Sequence, residues 1–154
     1  MTETEIKAPP LLAQLVTKQQ AQWVDFDNLD HWLAEQRGDQ VLLFAGDPVR
    51  FPEALDVAVV LPELQRVFSA AGRPFGVGVA VPECAEALAK KFGSQRWPTL
   101  MFFRDGHYVT TVSGMHDWND YVALVTQALD APPSRVPTIG IPVVSSSASS
   151  SNCH

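Results

Sequence analysis

The sequence predicts an α/β protein built on a mixed central sheet, with parallel strands plus a C-terminal antiparallel hairpin and helices on both faces. Three observations predict it. Val41-Leu-Leu-Phe-Ala45 is a continuous apolar run, which suits a strand covered on both faces, since a half-wetted strand would alternate apolar and polar residues. Between such runs lie stretches whose apolar residues recur every three or four positions, the period of a helix with one buried face. Near the end, two strand-like runs are joined by Asp105-Gly106, a pair that tolerates the positive φ angles of a tight hairpin.

The elements follow in order. Pro9-Pro10 introduces Leu11, Leu12, Leu15 and Val16, a short helix opened by proline, whose missing N–H costs nothing in a first turn. Ala21 to Val24 is a brief strand. Phe26, Leu29, Trp32 and Leu33 then mark the apolar face of a helix behind Asp25 as N-cap, and Gly38 stops it. After the Val41–Ala45 strand, the pattern lets Pro62 open an amphipathic stretch bearing Leu64, Val67, Phe68 and Ala71, with Gly72 past its end. Phe75 to Val81 is another buried strand. Pro82 and Glu83 start a helix carrying Ala85, Leu88, Ala89 and Phe92, capped by Gly93. Thr99 to Arg104 and His107 to Ser113 are the hairpin strands, and Trp118, Tyr121, Val122, Val125 and Leu129 form the face of a last helix. Strand and helix alternate up to the hairpin, which demands parallel pairing with right-handed crossovers.

Three segments are expected: a helical N-terminal extension over 1–20, one domain over 21–130, and a Pro/Ser-rich tail over 131–154. The tail holds Pro132-Pro133, Pro137, Pro142 and a serine run from Ser145 to Ser151, too little apolar content to offset the entropy of ordering, so it is expected to be mobile. The chain has 154 residues, 46% hydrophobic and 18% charged, with a net charge of −6. That charge argues against nucleic acid, whose phosphates need a basic face; a basic peptide is the better electrostatic match. Acidic residues near Met1 do not read as a signal sequence, and no apolar run is long enough to span a bilayer. Cys84 and Cys153 do not make a disulfide framework. A cytoplasmic protein without membrane insertion is expected.

Trp97-Pro98-Thr99, followed by an apolar strand and Asp105-Gly106, resembles the cis-proline segment and hairpin of the thioredoxin fold, over about Ala21 to Leu129. In that resemblance Val41–Ala45 is the central strand, Pro62 is the proline that kinks the active-site helix, and Val112-Ser-Gly-Met115 is the turn beside the peptide groove. Counting back from Pro62 places Glu53-Ala54-Leu55-Asp56-Val57 where the fold carries its Cys-x-x-Cys, so Ala54 and Val57 stand at the two thiol positions. Leu43 replaces the buried acid of the central strand. Dithiol exchange needs one thiolate to attack and a second thiol to resolve; neither is present, so no disulfide reductase activity and no catalytic residue is expected.

The whole chain resembles a narrower group, the non-catalytic thioredoxin-like accessory proteins of uptake [NiFe] hydrogenases (the HyaE/HupG/HoxO group). The features that carry this are the leucine-rich first helix, the Val-Leu-Leu-Phe strand followed by Gly46-Asp-Pro, the cysteine-free loop before Leu61-Pro62-Glu-Leu, and Arg96-Trp-Pro-Thr-Leu100. The resemblance implies a chaperone that binds the hydrogenase small-subunit precursor, either through its twin-arginine signal peptide or through the folded subunit, a choice the sequence leaves open, with other hydrogenase accessory proteins as candidate further partners. Phe51, Glu53, Asp56, Trp97, Pro98 and Met115 are the candidate partner-binding residues. The loop residues would offer an apolar ring and two carboxylates; Trp97-Pro98 would present backbone to an extended peptide, a case of strand addition.

Two other readings stay open on the sequence: a redox protein using Cys84 as a lone thiol in the first turn of a helix, or a structural subunit of a hydrogenase assembly. Cys153-His154 supplies neither the number nor the geometry of a metal site. No metal or other cofactor is expected.

Overall fold

A computed structural model of the protein describes residues 9–134 apart from 36, 47–49, 51, 53, 54 and 95. The elements run α1 (Pro10–Lys18), β1 (Gln22–Val24), α2 (Leu29–Glu35), β2 (Asp39–Phe44), α3 (Leu55–Ala70), β3 (Gly76–Ala80), a 3-10 turn (Pro82–Cys84), α4 (Ala85–Lys91), β4 (Thr99–Arg104), β5 (His107–Ser113) and α5 (Trp118–Asp130). The sheet order is β1-β3-β2-β4-β5. β1 and β2 pair with β3 in parallel, and β4 and β5 add antiparallel.

Two cores sit on the two faces of this sheet because successive side chains of a strand point to opposite sides. Val41 and Leu43 of β2 join Val77, Val79, Leu100 and Phe102 beneath α1, α3 and α5. Leu42 and Phe44 join Met101 and Phe103 beneath α2 and α4. Leu43, which stands where the resemblance places an acid, is fully buried and pairs with Leu100 across the ladder. Leu12 and Leu15 put α1 into the first core beside α3.

The sequence reading needs correction at four places. α3 runs through Pro62 instead of beginning there; the ring removes one intrahelical hydrogen bond, and the stripe Val57, Ala58, Leu61, Leu64 and Phe68 keeps the two halves anchored on the sheet. Val67 falls off that stripe and is exposed. Phe26 is also exposed because it lies in the turn before α2, where Asp25 and Asn28 exchange side-chain-to-backbone hydrogen bonds of 2.8 and 2.9 Å, the reciprocal arrangement of a capping box. Trp118 is the first residue of α5 and remains exposed, ahead of the buried Tyr121, Val125 and Leu129. The hairpin turn is as expected, with φ of 52° at Asp105 and 85° at Gly106. Most of the tail, residues 135–154, lies outside the described residues.

Candidate functional site

The loop between α4 and β4 is held by backbone and buried polar bonds. Ser94 N–H donates to the Ala89 carbonyl at 2.8 Å. The fully buried Thr99 donates its hydroxyl to the Arg96 carbonyl at 2.6 Å and meets the Ser94 hydroxyl at 3.4 Å. Threonine therefore closes the loop on itself just where β4 begins. The Trp97–Pro98 peptide is cis, and the Pro98 carbonyl accepts the Gly114 N–H at 2.7 Å, joining this loop to the turn after β5.

Trp97 is half-buried against the α2/α4 core. Gly46, at φ +82°, lies against its ring: a Cβ there would come within 2.9 Å of Trp97 Cγ. Glycine is needed on both counts, for its backbone conformation and for the room it leaves. On the other side of the turn, Tyr121 donates its hydroxyl to the Gly114 carbonyl at 2.9 Å, with Met115 Sδ at 3.8 Å. Burial pushes the Tyr121 phenol up to about 12, against a smaller lowering by a backbone hydrogen bond at His116. The His116 ring stands edge-on to Tyr121 and bonds the Ser113 carbonyl at 2.8 Å.

These elements enclose a cleft of about 590 Å³ lined by Arg50, Glu86, Lys90, Ser94, Arg96, Trp97 and Gly114. Trp97 and Pro98 lie on one loop, with Gly114 across from them. Met115 sits next to Gly114 but packs into the α1/α3/α5 core. Asp56 is exposed in the first turn of α3 and is not a lining residue of the cleft. Phe51 and Glu53 lie outside the described residues. Reasoning from sequence missed the cleft's cations. Arg96 was visible only as part of the Arg96-Trp-Pro-Thr-Leu100 segment, and Arg50, Glu86 and Lys90 carried no motif that would single them out.

Val57 is buried in the core at the second thiol position. Cys84 lies half-buried in the 3-10 turn, outside the cleft lining. Burial raises its thiol pKa, with Asp25 and Glu83 adding to the rise and a backbone hydrogen bond from Phe26 opposing it. A raised pKa means little thiolate at neutral pH, the opposite of an activated nucleophile. Among the described residues no cluster of three or more His, Cys, Asp or Glu could hold a metal, and no helix is long and apolar enough to cross a membrane.

The fold matches a solved thioredoxin f2 of Chlamydomonas reinhardtii with a TM-score of 0.50 and 20% identity, covering 70% of this chain and 94% of that one; this likeness concerns architecture alone. Sequence relatives are more specific. A hydrogenase expression/formation protein HoxO of Cupriavidus necator is 56% identical over 95% of this chain and 89% of its own length. A hydrogenase expression/formation protein HupG of Bradyrhizobium diazoefficiens is 40% identical over 79% of this chain and 82% of its own. Residues 11–121 match the family described as hydrogenase-1 expression protein HyaE, a span that takes in α1, the whole sheet and the start of α5, so this chain belongs to the HyaE family of thioredoxin-fold hydrogenase expression proteins.

Proposed function

We propose that this protein is an accessory chaperone in the maturation of an uptake [NiFe] hydrogenase, acting in the cytoplasm without disulfide reductase activity and binding the small-subunit precursor before export. The observation that supports this most is a combination: a chain belonging to a hydrogenase expression family keeps a structured cleft beside Trp97 while Ala54 and Val57 occupy the thiol positions. Losing the dithiol removes the chemistry and leaves the surface that could hold a polypeptide. Trp97 and Pro98 form the apolar centre of the proposed contact. Met115 supports the adjoining turn, and Phe51, Glu53 and Asp56 are proposed as further contacts, Asp56 from the exposed first turn of α3.

The test is capture of the precursor by tagged full-length protein under reducing, anaerobic conditions. Wild type is expected to retain it. Trp97→Ala is expected to weaken capture about tenfold, as removal of a central aromatic anchor does, and Glu53→Lys/Asp56→Lys to weaken it less. A Lys18→Glu/Arg66→Glu variant, altered on the α1/α3 face, should bind like wild type. Failure of wild type to capture the precursor would overturn the reading, as would loss of capture in the α1/α3 variant with none in Trp97→Ala.

A further inference from the structure

The cleft beside Trp97 is electrostatically unlike the protein around it. The chain carries a net charge of −6, yet among the described residues Arg50, Lys90 and Arg96 line this cleft with a single carboxylate, Glu86. Lys90 and Arg96 are exposed, and neither takes part in the ion pairs seen among the described residues, at His31–Glu35, Arg66–Glu63, Arg73–Asp130 and Arg104–Asp39. Lys90 and Arg96, without an ion pair to any described residue and placed around a concave surface, leave their attraction available to a ligand. In a cleft with low-dielectric walls that attraction is focused.

We infer that the cleft beside Trp97 binds an acidic, extended peptide segment of the partner, one whose Asp or Glu side chains reach Lys90 and Arg96 while an apolar side chain packs on the Trp97 ring. This rests on the reading of the cleft as the partner-binding surface, and it adds the charge that surface selects. The loop supplying two of these contacts is fixed before any ligand arrives: Thr99 clamps the Arg96 carbonyl, and Gly46 backs the Trp97 ring. Arg96 and Trp97 are adjacent in sequence on that clamped loop, and Lys90 projects from the last turn of α4. A planar guanidinium can take a carboxylate through two parallel bonds, so arginine supplies direction and lysine a less directional charge. The arrangement disfavours a basic segment at this lip. Any paired arginines of a partner would have to lie elsewhere, toward Asp56.

Fluorescence anisotropy of labelled hexaglutamate, hexalysine and a neutral Gly-Ser hexapeptide with the full-length protein tests this at low and at physiological salt. Hexaglutamate should bind about tenfold more tightly than the other two, with the margin shrinking as salt screens the charges. Lys90→Glu/Arg96→Glu should lower its affinity about tenfold with an unchanged circular dichroism spectrum, since both side chains are exposed. Lys18→Glu/Arg66→Glu, equal in charge change but on the other face of the sheet, should leave binding as it was. Equal binding of the acidic and basic peptides would overturn the inference, and so would an equal loss from the α1/α3 variant, which would mean that net charge alone governs binding. Capture of the precursor by wild type, measured separately, keeps the maturation role standing if peptide selectivity fails.

Discussion

Thr99 is polar and fully buried, and both of its contacts lie within the loop it terminates. Tyr121 does the same for the neighbouring turn from below, through its bond to the Gly114 carbonyl. Because burial raises the Tyr121 pKa from 10.0 to about 12, the folded state holds the phenolic proton more tightly than the unfolded chain does. Its contribution to stability is therefore complete below pH 10 and is lost as the pH rises through about 12. Tyr121→Phe keeps the ring and removes the donor. It should cost about 1 kcal/mol near neutrality, and the gap between variant and wild type should close across that alkaline window. Urea unfolding of both proteins over a pH series measures it; a gap that stays constant up to the highest pH would show that the hydroxyl does not titrate with folding. Neither support was legible in the sequence. A threonine beginning a strand and a tyrosine on a helix face look like ordinary packing until the chain brings residues 96 and 114 to them.

At the scale of the element, Arg104 shows how a strand end and a helix end are tied together. It ends β4, and its Nε donates to Asp39 at 2.7 Å, at the start of β2. Its remaining nitrogens donate to the carbonyls of Ala128, Leu129 and Ala131 at 3.3, 2.8 and 2.6 Å. Those carbonyls belong to the last turn of α5 and its C-cap Ala131, where intrahelical donors run out (the Ala128 carbonyl also accepts the Ala131 N–H at 3.3 Å) and the helix dipole favours a cation. Arg104→Met should destabilise the protein by about 2 kcal/mol, leaving Asp39 unpaired and the carbonyls uncapped. Arg104→Lys should cost less, because it keeps the charge and loses the fork. A shift in urea midpoint with unchanged slope is the expected reading; a Met variant as stable as wild type would mean that water caps α5 equally well. Periodicity and turn chemistry were enough to locate the elements themselves, from the Asp105-Gly106 hairpin to the buried stripe of α4. They erred where an apolar residue lies beyond its stripe, as at Val67, or where a proline sits inside a helix that tertiary packing holds together, as at Pro62.

For the whole molecule, the alternation of apolar runs and helical stripes was sufficient to anticipate a five-stranded mixed sheet between two helical layers. The candidate site was legible in part, through Trp97-Pro98 and the displaced thiol positions. Its charge was not, because Lys90 and Arg96 are separated by the turn after α4 and meet Arg50 only across the folded cleft. The same placement bears on the redox chemistry. A thioredoxin-type exchange needs two thiols at the start of the helix after the central strand, and here that helix begins Leu55-Asp56-Val57 with Val57 in the core. The thiol that is described, Cys84, lies on another connection, and burial raises its pKa. Exchange through one such thiol would be slow at the attack step, for lack of thiolate, and would stall as a mixed disulfide for lack of a resolving partner. Purified protein should therefore leave insulin disulfides unreduced in the presence of dithiothreitol beyond the reagent's own rate. Cys84 should react with iodoacetamide more slowly than free cysteine at neutral pH, and more quickly once the pH is raised or the protein unfolded. A Cys153→Ser variant keeps the second cysteine out of the measurement. Rapid alkylation of Cys84 at neutral pH, together with turnover of insulin that disappears in Cys84→Ser, would make this a single-thiol redox protein and displace the binding role from the centre of its function.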